Sequence, residues 1–180
     1  YKLIIISDEI YSKLTFDNKY KSISNFYSEG TIISSGLSKW CGAGGWRLGY
    51  FAIPNELREF KNSLKVLCSE SFTSVSAPIQ YAAIEAYKGD YSSYLKKVKT
   101  ILFKVGMHVY EELKSNAISV SKPEGGFYLF PEFINAKFSS SSKMCKDILD
   151  KTGVALLPGS DFGLDHKKMI ARLSYTDFDG

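Results

Sequence analysis

The chain has 180 residues, of which 44% are hydrophobic, 23% charged and 14% aromatic, a balance that suits one globular domain or two small ones with a sizeable core. Its net charge of +4, from 23 basic and 19 acidic residues, is too mild and too evenly spread to argue for nucleic acid, and no apolar run approaches the ~20 residues of a membrane span. Three scattered cysteines and two distant histidines, His108 and His166, argue against a protein-built metal centre and suit a reducing, cytoplasmic setting.

Tyr1-Lys2 leads directly into Leu3-Ile4-Ile5-Ile6, an apolar, β-branched run that reads as a parallel strand covered on both faces. Ser7-Asp8-Glu9 falls at its carboxyl end. Thr31 to Ser35 reads as a second short strand, opening into Gly36-Leu37-Ser38-Lys39. After the glycine-rich bend Gly42-Ala43-Gly44-Gly45, Trp46 to Ile53 reads as a third strand, closed by Pro54, and a helix starts at Asn55. A helix is expected over Ala77–Tyr87, with Pro78 in its first turn. A longer one should run from about Ser92 to Ser115, because Leu95, Val98, Leu102, Val105, Val109 and Leu113 form one apolar stripe. Gly106 interrupts that pattern. The basic run Lys96-Lys97-Val98-Lys99 then becomes a solvated helix face. Shorter elements follow: strands at Phe127–Phe130, Val154–Leu157 and Met169–Tyr175, and a helix near Lys143–Lys151 that stops at Gly153. A domain boundary is expected at the long helix, giving segments 1–92 and 93–180. The chain lacks an initiator methionine, and Asp177-Phe178-Asp179-Gly180 supplies no closing element. It therefore reads as a fragment of a longer protein.

The chemistry concentrates in Gly36-Leu37-Ser38-Lys39-Trp40-Cys41-Gly42-Ala43-Gly44-Gly45-Trp46-Arg47-Leu48-Gly49. A lysine at the end of a buried strand, partly withdrawn from water, is a usable amine nucleophile. Arg47, eight residues on, offers a planar fork for a phosphate, and the glycines let the backbone turn tightly. Taken alone, the spacing equally allows a surface lysine and arginine flanking a glycine turn. Upstream stands Asp8-Glu9-Ile10-Tyr11. Downstream, Arg172 interrupts the apolar strand Ile170-Ala171-Arg172-Leu173-Ser174-Tyr175, where a cation needs a partner: an internal acid or a bound carboxylate.

The Gly36–Gly49 stretch resembles the Schiff-base signature of the class I and II aminotransferases, and every restricted position of that signature is met. The resemblance runs in order along essentially the whole chain. It implies an α/β chain of fold type I: the end of the large, mostly parallel-sheet domain (1–92), then an incomplete α+β small domain (93–180), joined by a long helix. It implies pyridoxal 5'-phosphate (PLP) as cofactor, bound to Lys39 as a Schiff base. Asp8 would pair with the ring nitrogen and Tyr11 with the ring oxygen. Ser38 and Arg47 would serve the phosphate. Arg172 would clamp the α-carboxylate of an amino acid that passes its amino group to a 2-keto acid. Pro123–Tyr128 and Leu157–Gly163 are similar to two further stretches of the family, near the substrate and before its carboxylate-binding strand. Members of the family usually form homodimers. At one position the chain departs from many relatives: Gly36 stands where they carry a serine that helps hold the phosphate. The phosphate turn, the ring-stacking aromatic and an asparagine near the ring oxygen would come from sequence before Tyr1, so the fragment alone is expected to be inactive. The motifs leave two rivals open. One is another PLP reaction, such as β-lyase or aminocyclopropane-carboxylate synthase chemistry. The other is a PLP-sensing module of a transcription regulator.

Overall fold

The computed structural model describes residues 3–177, and the sequence readings at Tyr1-Lys2 and Phe178-Asp179-Gly180 lie outside them. The chain divides into two compact units, Tyr1–Lys96 and Lys97–Gly180.

The first unit is built on a three-stranded sheet ordered β1-β2-β3. β1 (Ile5–Asp8) runs parallel to β2 (Thr31–Gly36), with Asp8 opposite Ser34. β3 (Gly49–Ala52) returns antiparallel to β2, with Gly49 opposite Gly36. A Cβ on Gly36 would sit 2.6 Å from the Leu48 carbonyl oxygen, so glycine is what lets the two strands approach there. α1 (Arg58–Ser71) and α2 (Ala77–Lys88) follow. The unit's core is small: Leu14, Ile32, Leu37, Trp40 and Ala83 are its buried apolar residues.

Two sequence expectations need correction here. β1 begins at Ile5, not Leu3, because its pairing starts at Ile5↔Thr31. Nor is it covered on both faces: Leu3, Ile4 and Ile6 are 57–69% exposed. Burial is what makes an unbroken apolar strand favourable, and no described residue supplies it. The third strand is also shorter than Trp46–Ile53. Gly44–Trp46 forms a 3-10 turn and Arg47 adopts a left-handed conformation (φ 53°), so the chain is still reversing where a strand was expected.

α3 (Ser92–Ser115) matches the predicted long helix in both bounds and carries the chain into the second unit. There β4 (Tyr128–Leu129), β5 (Leu157–Pro158) and β6 (Ala171–Ser174) form an antiparallel sheet with β6 in the centre. α4 (Ser141–Thr152) starts at the Ser140 side chain, which accepts from the Lys143 N–H, and stops at left-handed Gly153. Met144 and Cys145 of α4 pack with Met169 and Ala171 as the core. Gly106, the anomaly in the helical stripe, has a packing reason. A Cβ there would lie 2.8 Å from the Tyr175 ring, whose buried hydroxyl donates to the Gly126 carbonyl at 3.1 Å. Burial pushes the Tyr175 phenol up to about 12.

Candidate active site

Parallel strands β1 and β2 end on the same side of the sheet, and ligand sites of α/β sheets gather beyond such carboxyl ends. Asp8 is the last residue of β1. Its carboxylate is exposed and accepts the Ile10 N–H at 3.2 Å, a turn of the ordinary strand-end kind. A 3-10 turn, Ser12–Leu14, follows half-buried Tyr11 and is pinned by fully buried Leu14. Lys39 lies three residues beyond the end of β2. It is half-buried, and its Nζ stands 5.5 Å over the centroid of the Tyr11 ring. The structure thus brings the predicted anchor lysine and the predicted ring-oxygen donor together.

The connection from β2 to β3 is closed by its own hydrogen bonds. Leu37 N–H donates to Leu48 O and Ala43 N–H to Leu37 O, both at 3.4 Å, and the Trp40 indole N–H donates to Gly36 O at 3.0 Å. The glycine bend returns over Ser38: a Cβ on Gly44 would meet the Ser38 carbonyl oxygen at 3.6 Å. Ser38 itself is half-buried. Arg47 is exposed, and one of its guanidinium groups' N–H donors goes to Gly44 O at 2.7 Å. A guanidinium carries five such donors, so this bond leaves capacity for an anion.

In the second unit Arg172 sits on the central strand β6. Its guanidinium lies over two rings, with Cζ 4.3 Å from the Tyr128 centroid and 4.8 Å from that of Phe162. Phe130 braces Phe162 edge-on at 5.4 Å. Among the described residues Arg172 has no carboxylate partner, so the internal salt bridge allowed by the sequence is not formed there. A guanidinium over a ring face is attracted by the ring's quadrupole, and its in-plane N–H donors suit a bidentate acceptor.

Three features escaped the sequence reading. Glu9 is 8% exposed and receives the hydroxyls of Ser7 (3.2 Å), Ser22 (2.5 Å) and Tyr20. Burial, and then the neighbouring Glu9 carboxylate, push the Tyr20 phenol up to about 12. Apart from Ser7 these partners lie more than ten residues away, so no local pattern marks them. Lys13 and Trp40 form a second close pair beside Lys39. Tyr128 and Phe162 were both inside motifs that local sequence explains as turns, and only the fold aims them at Arg172.

The donor set beyond the strand ends is an amine, a carboxylate, a phenol and a guanidinium. That chemistry fits PLP, which needs a carbonyl-reactive amine, an acid for its ring nitrogen, a donor for its ring oxygen and cations for its phosphate. Among the described residues there is no cluster of His, Cys, Asp and Glu that could hold a metal, and no helix long and apolar enough to cross a membrane. All three cysteines are free.

The chain resembles known proteins over nearly its whole length. It is 35% identical over 174 residues to the probable N-acetyl-LL-diaminopimelate aminotransferase of Bacillus subtilis, covering 97% of this chain and 43% of that protein. It is likewise 35% identical over 186 residues to the aspartate aminotransferase of the same organism, covering 97% of this chain and 45% of the relative. The chain thus spans less than half the length of these curated relatives. The crystal structure of the aromatic aminotransferase from Pyrococcus horikoshii superposes with a TM-score of 0.85 at 31% identity, over 96% of this chain and 46% of that one. The fold is therefore that of the aspartate-aminotransferase-like, fold type I enzymes. The family model "Aminotransferase class I and II" matches residues 1–177, and with the signature lysine set against Tyr11 at the strand ends, the chain belongs to that family.

Proposed function

We propose that the protein carrying this chain is a PLP-dependent aminotransferase that moves an amino group between an amino acid and a 2-keto acid. The observation that carries this reading is Lys39, half-buried past the carboxyl end of β2 and facing the Tyr11 ring, with Asp8 ending the adjacent parallel strand. Segment 1–92 would be the last part of the PLP-binding domain and segment 93–180 most of the small domain.

Lys39 would hold the cofactor's carbonyl carbon, Asp8 its ring nitrogen and Tyr11 its ring oxygen. Ser38 and Arg47 would hold the phosphate. A serine hydroxyl at position 36 is not an option in this backbone, because Leu48 O fills the space of a Cβ. When bound, PLP supplies an electron sink that stabilises negative charge left at the substrate Cα. The chain's own residues do the rest. The Asp8 carboxylate favours a protonated ring nitrogen. Arg172, over the rings of Tyr128 and Phe162, would orient the substrate through its α-carboxylate. The Lys39 amine would take the proton from the substrate Cα and, once protonated, would give it up again, acting first as base and then as acid.

The exposed apolar residues of β1 and of α1, among them Val66 and Leu67, support two further proposals: that the chain works with additional protein around it as a homodimer, and that alone it is inactive. Exposed large apolar side chains in such number ordinarily meet a partner. Free cysteines suit a cytoplasmic setting. The test is an amino-acid and keto-acid panel on the protein at full family length. Turnover that stops without a keto acid supports the reading. Turnover independent of keto acid assigns the site to lyase-type chemistry instead.

A further inference from the structure

Two segments flank Lys39, and each lends the other one ring and one cation. Lys39 Nζ lies 5.5 Å over the Tyr11 ring. Two residues past Tyr11, Lys13 Nζ lies 3.8 Å over the ring of Trp40, the residue after Lys39, and 5.3 Å over that of Tyr87. A cation over an indole face is held by the ring's quadrupole, and indole is the best of the aromatic acceptors. The 3.8 Å contact is the closer of the two crossing pairs.

Trp40 cannot follow Lys13 if that lysine moves. It is 3% exposed, its N–H is tied to Gly36 O at 3.0 Å, and Tyr87 tilts against it at 5.7 Å. The fixed partner is therefore the turn that carries Lys39. On the other side, Leu14 is fully buried and its N–H donates to Tyr11 O at 2.8 Å, so Tyr11 and Lys13 move as one turn. Lys13 is exposed as a residue, yet the ring contacts take water from its ammonium, and this burial lowers its pKa against a weaker opposing effect of the Cys41 thiol.

We infer that Lys13 is a positioning residue, whose ammonium latches the Tyr11 turn onto Trp40 and thereby holds the Tyr11 ring against Lys39. The inference deepens the reading of Lys39 and Tyr11 as site residues and rests on it. Lys13 touches neither substrate nor cofactor in this scheme. It acts through Tyr11 and Trp40.

The test is NMR on this chain, labelled with 13C at lysine. The ε-methylene signals of Lys13 and Lys39 should be displaced upfield by the rings of Trp40 and Tyr11, and Lys39 should show a cross-relaxation peak to Tyr11. Lys13→Met should abolish the Lys39 displacement and that peak, while Lys13→Arg, still cationic, should keep both. Lys13→Gln gives a second uncharged variant, with the same loss expected, should the methionine variant fail to fold. A purely structural lysine would lower the melting temperature without moving the Lys39 signals. Folded Lys13→Met or Lys13→Gln with unchanged Lys39 signals overturns the inference. Borohydride fixation of PLP on other lysines in the protein at full family length, with the Lys39 signals of this chain still responding to Lys13→Met, overturns the functional reading and leaves the latch as a structural element only.

Discussion

Replacing Gly36 by alanine tests how tightly the strands beside Lys39 are packed. The new Cβ would stand 2.6 Å from Leu48 O and 3.1 Å from Gly49 Cα, with Ile10 Cδ1 at 3.5 Å. The two closest neighbours are backbone atoms at the start of the paired strand and of the residue before it, which cannot swing aside as a side chain would. Relief requires β2 and β3 to part at Gly36↔Gly49, at the root of the Lys39 turn. Overpacking of this kind costs about 1–3 kcal/mol. Gly45→Ala is the internal control. It lies in the connection that follows β2, has nothing within 4 Å of a built Cβ and no positive φ, and should gain about 0.4–1 kcal/mol by stiffening the unfolded chain. Both tryptophans, Trp40 and Trp46, lie in the first unit, so a urea titration followed by tryptophan fluorescence reads that unit alone. Gly36→Ala should shift the midpoint down and Gly45→Ala slightly up, with the slope unchanged. A Gly36→Ala midpoint equal to wild type would refute the close approach. The same clash bears on function, since Gly36→Ser should weaken the fold and not supply the phosphate donor that many relatives carry there.

Thr73 closes α1 in a left-handed conformation (φ 68°), with its N–H on Cys68 O. A β-branched residue is strained there, so Thr73→Gly should stabilise the first unit by about 1 kcal/mol in the same urea assay. Tyr175 stays protonated up to about 12 in the fold, whereas an unfolded tyrosine ionises near 10. The unfolded state thus loses its proton first, and the stability this residue contributes is intact below pH 10 and falls as pH rises toward 12. Melts from pH 9 to 12 should show a shallower fall for Tyr175→Phe, with Tyr20 and Tyr87, also raised to about 12 by burial first of all, keeping their own shares. Arg172→Lys retains charge but loses the flat fork that lies over Tyr128 and Phe162. At ~1.5–3 kcal/mol for hydrogen bonds to a charged group, it should lower kcat/KM of the full-length protein about 10–100-fold, and an unchanged value removes Arg172 from carboxylate binding.

Periodicity showed the long elements well. α3 was legible residue for residue because its stripe is long, and α4 because Ser140 and Gly153 cap it in ways visible locally. Strand limits were less legible, since β1 starts where a partner begins, not where its apolar run begins. Asp8, Lys39 and Arg47 stood out through motif spacing. The ring contacts of Arg172, the hydroxyls around Glu9 and the Lys13–Trp40 contact join residues far apart in sequence, and nothing local to any one of them announces the others.

Under the proposed function, Lys39 anchors PLP in the protein to which this chain belongs. The most direct measurement is borohydride reduction of that protein at full family length, as purified with PLP, followed by peptide mass mapping beside a Lys39→Ala variant. One pyridoxyl group per chain is expected, on Lys39, and no visible cofactor absorbance in Lys39→Ala. A label on another lysine, or unchanged absorbance in the variant, would contradict it.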